Sequence, residues 1–291
     1  MKIGFVGLGK MGVGLVLSMR EKGIEVLAWN RSPSEVANVG SVEEMIRQLE
    51  PGKRVIWLML PAGRVVDEMI TRICPLLNKG DLVIDGGNSF YQDDLRRAAE
   101  LAPKGIEYMD IGVSGGPKGA REGACLMIGG NRTKYEEMRE VWQAIAARDS
   151  YEHLGKTGAG HFAKMVHNGI EYGMMQAIAE GVAVLNASNF NFDLAKVLEL
   201  YNHNSVIASR LVGWTAEALK DDPQLDHISS KIEHTGEGEW TINTAKESGI
   251  SVPVIAESLA VRKRSRSESN NFSDKTVSAM RGKFGGHKVT K

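Results

Sequence analysis

The sequence predicts an N-terminal α/β domain with a doubly wound sheet, followed by an all-α C-terminal domain. Three observations predict it. The chain has 291 residues, more than one ordinary hydrophobic core organises and enough for two domains. Up to about residue 156, short apolar runs alternate with segments of helical spacing, the pattern of βαβ units around a parallel sheet. Beyond that point only helical spacing remains. The division is therefore placed at 156, with domains 1–156 and 157–291.

Residues 2–7, KIGFVG, form an apolar run ending in glycine, a buried strand. In 10–22, Met11, Leu15 and Met19 recur every fourth residue and share a helical face. EVLAW, 25–29, reads as the second strand. Residues 36–49 read as a helix, with Ser41 and Glu44 spaced as a capping box. A third strand runs over 55–60 and stops at Pro61. Helix 65–77, strand 82–85, helix 91–102 and strand 107–111 follow, with further strands at 125–128 and 151–154. In the second half, helical patterns cover about 158–187, 193–203, 205–220, 239–248 and 252–267.

Lys+Arg and Asp+Glu both number 36, so the formal net charge is zero and a wholly basic nucleic-acid binder is excluded. Two cysteines, Cys74 and Cys125, make neither a disulfide framework nor a four-thiolate metal site, and read as reduced, buried thiols. No cluster has metal-ligand spacing. The apolar N-terminus with Lys2 has the superficial look of an export signal, but glycines at 4, 7, 9 and 12 argue against one. No run reaches the roughly 20 apolar residues of a membrane helix. A cytoplasmic protein is expected, without membrane or nucleic-acid partners. The charge anomaly is the tail: 262–291 holds nine Lys/Arg and two acids. It reads as a solvated end, as an element binding phosphate or carboxylate, or as a nucleic-acid arm poor in aromatics.

Gly7-Leu8-Gly9-Lys10-Met11-Gly12 matches G-x-G-x-x-G between the first strand and the first helix. In that context it marks a Rossmann-like dinucleotide site. Gly7 permits the turn, Gly9 admits a pyrophosphate and Gly12 lets the helix pack closely, with the helix N-terminus facing the phosphates. An acid after the second strand would grip the 2′-hydroxyl of NAD; this chain has Asn30-Arg31-Ser32 there. A guanidinium beside small polar groups suits a 2′-phosphate, so NADP is the preferred cofactor, with NAD also possible.

Residues 158–172, GAGHFAKMVHNGIEY, open a long helix. Lys164, Asn168 and Glu171 fall within about 60° of one stripe at about 100° per residue, with a rise of about 10.5 Å from first to last. Two long side chains at that spacing reach over one small molecule; a solvated Lys–Glu face is the plain alternative. A desolvated lysine beside a cationic nicotinamide is able to act as a base.

These residues resemble those of 6-phosphogluconate dehydrogenase (decarboxylating), within the β-hydroxyacid dehydrogenase superfamily. The likeness runs through the glycine fingerprint, Asn30-Arg31-Ser32, Met59-Leu60-Pro61-Ala62-Gly63, Asp85-Gly86-Gly87-Asn88-Ser89, Gly112-Val113-Ser114-Gly115-Gly116, the Lys164 helix and the closing Arg281-x-x-Phe284-Gly285-Gly286-His287. The length resembles that of the short form of the family. The resemblance implies Lys164 as base and Glu171 as acid. It implies substrate contacts from Asn88, Ser114, Gly115, Gly116, His167 and Asn168, and a 6-phosphate held by Tyr172, Arg262, Arg281 and His287. Cofactor contacts would come from Gly7 to Gly12, from Asn30, Arg31 and Ser32, from Leu60, Pro61 and Ala62, and from Asn88. Long forms place a lysine and a threonine for the phosphate where this chain has Thr235 and Glu237. The resemblance further implies a homodimer or homotetramer, with the tail reaching a neighbouring subunit's site, and no metal. A dehydrogenase of a non-phosphorylated β-hydroxyacid such as 3-hydroxyisobutyrate is the alternative, disfavoured by Glu171, Arg281 and His287. A non-enzymatic dinucleotide sensor is disfavoured by Lys164 and Glu171.

Overall fold

The structure, a computed structural model, describes residues 1–268, 270–286 and 289. The chain divides into two compact units, Met1–Lys164 and Met165–Lys291.

The first unit holds a seven-stranded sheet in the order β2-β1-β3-β4-β5-β6-β7. Its strands are β1 (Lys2–Val6), β2 (Glu25–Trp29), β3 (Val55–Leu58), β4 (Leu82–Asp85), β5 (Glu107–Ser114), β6 (Ala124–Gly129) and β7 (Ala146–Gly155). The order reverses between β1 and β3, which places a crevice at their C-terminal ends, where such sheets receive ligands. Helices α1 (Lys10–Glu21), α2 (Val42–Arg47), α3 (Arg64–Ile73), α4 (Tyr91–Leu101), α5 (Gly116–Glu122), α6 (Arg132–Glu137) and α7 (Arg139–Ile145) connect the strands.

Because side chains alternate along a strand, the sheet feeds two cores. Ile3, Phe5, Val26, Trp57 and Ile84 pack with Leu15, Met19 and Trp142 on one face; Val6, Leu27, Ile56, Leu58 and Val83 pack with Met45, Val66 and Ile70 on the other. A strand buried on both sides reads as a continuous apolar run, which is why β1, β3 and β4 are legible in the sequence.

Several expectations need correction. The helix expected over 36–49 begins at Val42, because Asn38 is tied to the sheet: its Oδ1 accepts the Ala28 N–H at 2.7 Å and its Nδ2 donates to Val26 O. Ser41 caps α2 by accepting from Glu44 N–H, while the Glu44 carboxylate reaches Gly40 N–H. Strand β3 ends at Leu58 rather than at residue 60. The sheet is not wholly parallel, since β6 runs antiparallel to β5. Helices α5, α6 and α7 have no counterpart in the sequence reading. Cys125 is exposed and Cys74 half-buried, so neither is a buried thiol.

The second unit is helical. The long helix α8 (Ala159–Asn186) begins in the first unit and runs into the second. Then come α9 (Leu194–Tyr201), α10 (Arg210–Asp221), α11 (Glu237–Glu247), α12 (Pro253–Glu268) and α13 (Phe272–Gly285). α10 starts later than residue 205, where Ser209 accepts from Val212 N–H as its cap. α13 falls within the tail that was read from charge alone. It is a core helix: Val277, Ala279 and Met280 are buried, and Ser278 Oγ donates to Lys231 O. The described part of the tail thus seats in its own unit. Among the described residues no helix is long and apolar enough to cross a membrane.

Candidate active site

The glycine loop opens directly onto α1. Gly7 has φ +103°, and a Cβ there would collide with the Met59 carbonyl; one on Gly12 would collide with the Gly7 carbonyl. Those two glycines answer to the protein's own packing. Gly9 does not, because beyond its own chain neighbours no described atom lies within 4 Å of where its Cβ would stand. Gly9 is also the N-cap of α1 and offers no side-chain cap, so the first-turn N–H groups face that open space. A cradle that a Cβ would fill, at a helix N-terminus, fits a dinucleotide pyrophosphate. Leu8 is buried and Met11 half-buried, while Lys10 is exposed.

At the end of β2, Asn30 Oδ1 accepts the Leu8 N–H at 2.9 Å and its Nδ2 donates to Ser32 O. Asn30 therefore fixes the loop, and Arg31 and Ser32 are exposed beside it. After β3, Pro61 and Ala62 are exposed and Leu60 half-buried; the Leu60 carbonyl would stand 2.6 Å from a Cβ on Gly87, so these two loops approach through glycine. Asn88 is half-buried between Gly87 and Ser89. Ser114 ends β5, and Gly115 and Gly116 turn the chain with φ +124° and +66°, a conformation that side chains resist.

Lys164 is placed by a second set of close approaches. A Cβ on Gly112 would collide with the Lys164 Cβ, and one on Gly160 would stand 2.5 Å from the carbonyls of Asp110 and Met127. The start of α8 thus lies directly on the backbone of β5 and β6. Its N-terminus is capped from the sheet, since the Asp110 carboxylate accepts Gly158 N–H at 2.6 Å and His161 N–H at 2.8 Å.

Below this point lies a buried polar network that sequence reasoning missed. His161 Nδ1 meets Asp94 Oδ2 at 2.7 Å, Tyr108 OH meets Asp94 Oδ1 at 2.9 Å and Asp85 Oδ2 at 3.3 Å, and Arg97 donates to Asp85 at 3.1 Å. Asp85, Asp94, Arg97 and His161 are all essentially inaccessible. The acceptor atoms of Asp85, Asp94 and His161 lie within 4.8 Å of one another, but hydrogen bonds already engage them and Arg97 supplies a cation. Burial pushes the Asp94 carboxyl up to about 6 despite the His161 charge beside it. Burial pushes the His161 imidazole down, yet Asp94, with Asp85 and Asp110 behind it, outweighs that and lifts it to about 9.

The linkage has a definite sign. His161 holds its proton more tightly folded than unfolded, so its contribution is fully present below about pH 6.5 and is lost as pH rises through about 9. Asp94 titrates below that window. Stability should fall between those limits, seen as a drop in Tm that His161→Asn flattens. A pH-independent Tm difference between wild type and variant would contradict this.

In the second unit, α8 carries His167, Asn168, Glu171 and Tyr172. His167 Nδ1 lies 3.0 Å from Asn168 Oδ1 and 3.8 Å from Glu171 Oε2. Asn168 Nδ2 donates to Glu237 Oε1 at 3.3 Å, and Thr235 donates to both oxygens of the same buried carboxylate. Glu237, which stands with Thr235 where long forms place their phosphate-binding residues, thus orients Asn168. Glycines again bring α11 close: a Cβ on Gly238 would stand 2.7 Å from the Tyr172 ring, and one on Gly169 2.8 Å from Thr241.

Arg262 stacks on Tyr172, its guanidinium carbon 3.4 Å from the ring centroid. Arg262 and Arg281 are 2% and 6% exposed. Burial holds both guanidinium groups below their usual range, Arg262 at about 10, and raises the Tyr172 phenol. Among the described residues neither arginine has an ion pair within 4 Å. Two buried cations without direct counter-ions are costly, and an anion relieves that cost. His287 lies outside the described residues.

Comparison with known proteins follows the same two units. Residues 2–155 match the NAD binding domain of 6-phosphogluconate dehydrogenase, and 160–290 match its C-terminal domain. A Bacillus subtilis (strain 168) protein, YqeC, to which 6-phosphogluconate dehydrogenase activity is ascribed, is 42% identical over the whole of both chains. The NAD(+)-dependent, decarboxylating 6-phosphogluconate dehydrogenase of Haloferax volcanii is 37% identical, covering 100% of this chain and 99% of that one. Plasmodium falciparum 6-phosphogluconate dehydrogenase, solved alone and with NADP+ or 6-phosphogluconate, superposes with a TM-score of 0.82 at 31% identity, covering 97% of this chain and 70% of that one. Mycobacterium tuberculosis 3-hydroxyisobutyrate dehydrogenase shares the fold alone, with a TM-score of 0.74 at 20% identity over 96% of this chain and 99% of that one. By both domain matches and by full-length likeness, the chain belongs to the 6-phosphogluconate dehydrogenase family.

Proposed function

We propose that the chain oxidises and decarboxylates 6-phosphogluconate to ribulose 5-phosphate and CO2 with a nicotinamide dinucleotide. The observation that carries the phosphorylated substrate is the buried pair Arg262 and Arg281 around Tyr172, two cations without ion-pair partners among the described residues. A non-phosphorylated β-hydroxyacid has no group to answer them.

Gly7 to Gly12 would hold the pyrophosphate, Asn30, Arg31 and Ser32 the adenosine end, and Leu60, Pro61, Ala62 and Asn88 the nicotinamide end. A nicotinamide held there would supply the acceptor for the hydride that leaves C3 of the substrate. Neutral Lys164 takes the proton of the 3-hydroxyl as that hydride leaves. In the 3-keto acid, the C1–C2 bond breaks, CO2 departs and the electron pair passes to the C3 oxygen, where the Lys164 ammonium meets it. Glu171, as a carboxylic acid, protonates C1 of the resulting enediol while Lys164 removes the hydroxyl proton, leaving the ketose. Ser114, Gly115, Gly116, His167 and Asn168 position the sugar acid, and Tyr172, Arg262, Arg281 and His287 hold the 6-phosphate. This sequence of steps gives the ammonium the electrophilic task and assigns none to a metal. The same reading includes a dimer or tetramer; exposed Val184, Phe190, Leu200 and Ile207 of the second unit offer apolar surface for it.

Initial rates with 6-phosphogluconate and with gluconate, using NADP and NAD in turn, test the proposal. Turnover with CO2 release on 6-phosphogluconate alone supports it; equal turnover of gluconate overturns it. NADP is the expected preference, through Arg31 on the 2′-phosphate. Asn30→Asp combined with Arg31→Leu keeps an acceptor for Leu8 N–H and should lower the NADP/NAD ratio of kcat/KM by about 10- to 100-fold, the worth of one charged hydrogen-bond pair. An unchanged ratio would refute the assignment.

A further inference from the structure

The buried network beneath α8 touches each of the three segments of the first unit that the proposed reaction needs in register. From Asp85 at the end of β4, Oδ1 accepts Gly87 N–H at 2.9 Å and Oδ2 accepts Ser89 Oγ at 2.7 Å, gripping both sides of Asn88. Arg97 donates to that carboxylate at 3.1 Å, to Asp67 at 2.8 Å and to the Gly63 carbonyl at 3.2 Å, so it also holds the loop Leu60-Pro61-Ala62. Tyr108 links Asp85 to Asp94, and Asp94 links to His161, one helical turn before Lys164. Asp110 closes the frame by capping that same turn. Asp85, Asp94, Arg97, Tyr108, Asp110 and His161 are all buried. The three carboxylates, the Arg97 guanidinium and His161 Nδ1 are all engaged, and His161 Nε2 alone among the network's side-chain atoms lacks a hydrogen-bond partner among the described residues; burying such groups is expensive, and the bonds between them fix one arrangement.

We propose that Tyr108, Asp94, His161 and Arg97 are positioning residues, a rigid relay that sets the Lys164 amine against Asn88 and the cofactor loop. The relay acts through Lys164 and Asn88 and touches neither substrate nor cofactor. The inference rests on the catalytic reading of Lys164 given above.

The test uses Tyr108→Phe, which removes one hydroxyl and no volume, and His161→Asn in the full-length protein. Two measurements are made. In the first, kcat for 6-phosphogluconate is expected to fall 10- to 100-fold, about what a misplaced reacting pair loses. KM for substrate and cofactor should stay within about threefold, since uniform binding is untouched, and the isotope effect from deuterium at C3 should rise as hydride transfer becomes rate-limiting. In the second, without substrate, amide hydrogen exchange is expected to quicken in 85–89 and in 158–164 together. A variant with wild-type kcat, or faster exchange confined to 107–109, would overturn the relay. If His161→Asn fails to fold, Tyr108→Phe decides. A wild type inactive on 6-phosphogluconate would reject the proposed function instead, and the exchange measurement would still decide the relay.

Discussion

Replacing Lys164 with methionine is expected to abolish hydride transfer, lowering kcat by at least about 10⁴-fold, the upper range for a lost general base. Methionine keeps most of the side chain's length and its apolar packing, so the stem that lies against Gly112 is preserved. In the proposed mechanism, what disappears is the group that takes the 3-hydroxyl proton and then meets the charge on the C3 oxygen. Both roles belong to the transition state, so binding should suffer little: equilibrium dissociation constants for 6-phosphogluconate and NADP should change by less than about tenfold. The check is a stopped-flow trace of reduced cofactor, with binding followed by fluorescence. A variant that retains wild-type kcat would show that Lys164 is not the base.

Glu171→Gln should act later in the reaction. An amide occupies the same volume and keeps a polar neighbour for His167, whose Nδ1 lies 3.8 Å from the native carboxylate. It has no acidic proton to give to C1 of the enediol. Steady-state turnover should drop about 10²- to 10³-fold, within the range of a lost general acid, while hydride transfer and CO2 loss remain fast. In D2O, wild-type enzyme should deliver deuterium to one face of C1. The variant's product should carry it on both faces, because the enediol is protonated in solvent. NMR of the ribulose 5-phosphate distinguishes them, and a single-face label from the variant at wild-type rate would remove Glu171 from its role.

What was legible in the sequence follows from what kind of cause fixes each element. Local causes read well. Strands β1, β3 and β4 are apolar on both faces, Ser41 caps α2, and Lys164, Asn168 and Glu171 share a stripe because helical geometry requires it. Causes that act across the chain did not read. Asn38 delays α2 through hydrogen bonds to β2. The antiparallel turn of β6 depends on pairing with β5, not on any property of its own six residues. α13 looks like a charged tail, yet Asp274, Lys275 and Arg281 are all buried, and their burial is set by neighbouring helices. The polar network is the extreme case. Asp85, Asp94, Arg97, Tyr108 and His161 are scattered over 77 positions, and although Asp85 and His161 fall within quoted motifs, no local pattern joins the five. Two family-implied site residues, Tyr172 and Arg262, are in direct contact, whereas Glu237, legible only as a departure from the long forms, orients Asn168 through a contact 69 residues away in sequence.

The central claim is that the amine of Lys164 and the carboxyl of Glu171, two turns apart on α8, serve successive steps on one sugar acid. Single turnover with enzyme in excess tests it most directly, following reduced cofactor, CO2 and ribulose 5-phosphate in the same sample. The account predicts that wild type forms all three in step and Lys164→Met forms none. Glu171→Gln should form the first two promptly and the sugar phosphate late. Prompt formation of all three by Glu171→Gln, or of reduced cofactor by Lys164→Met, would contradict it.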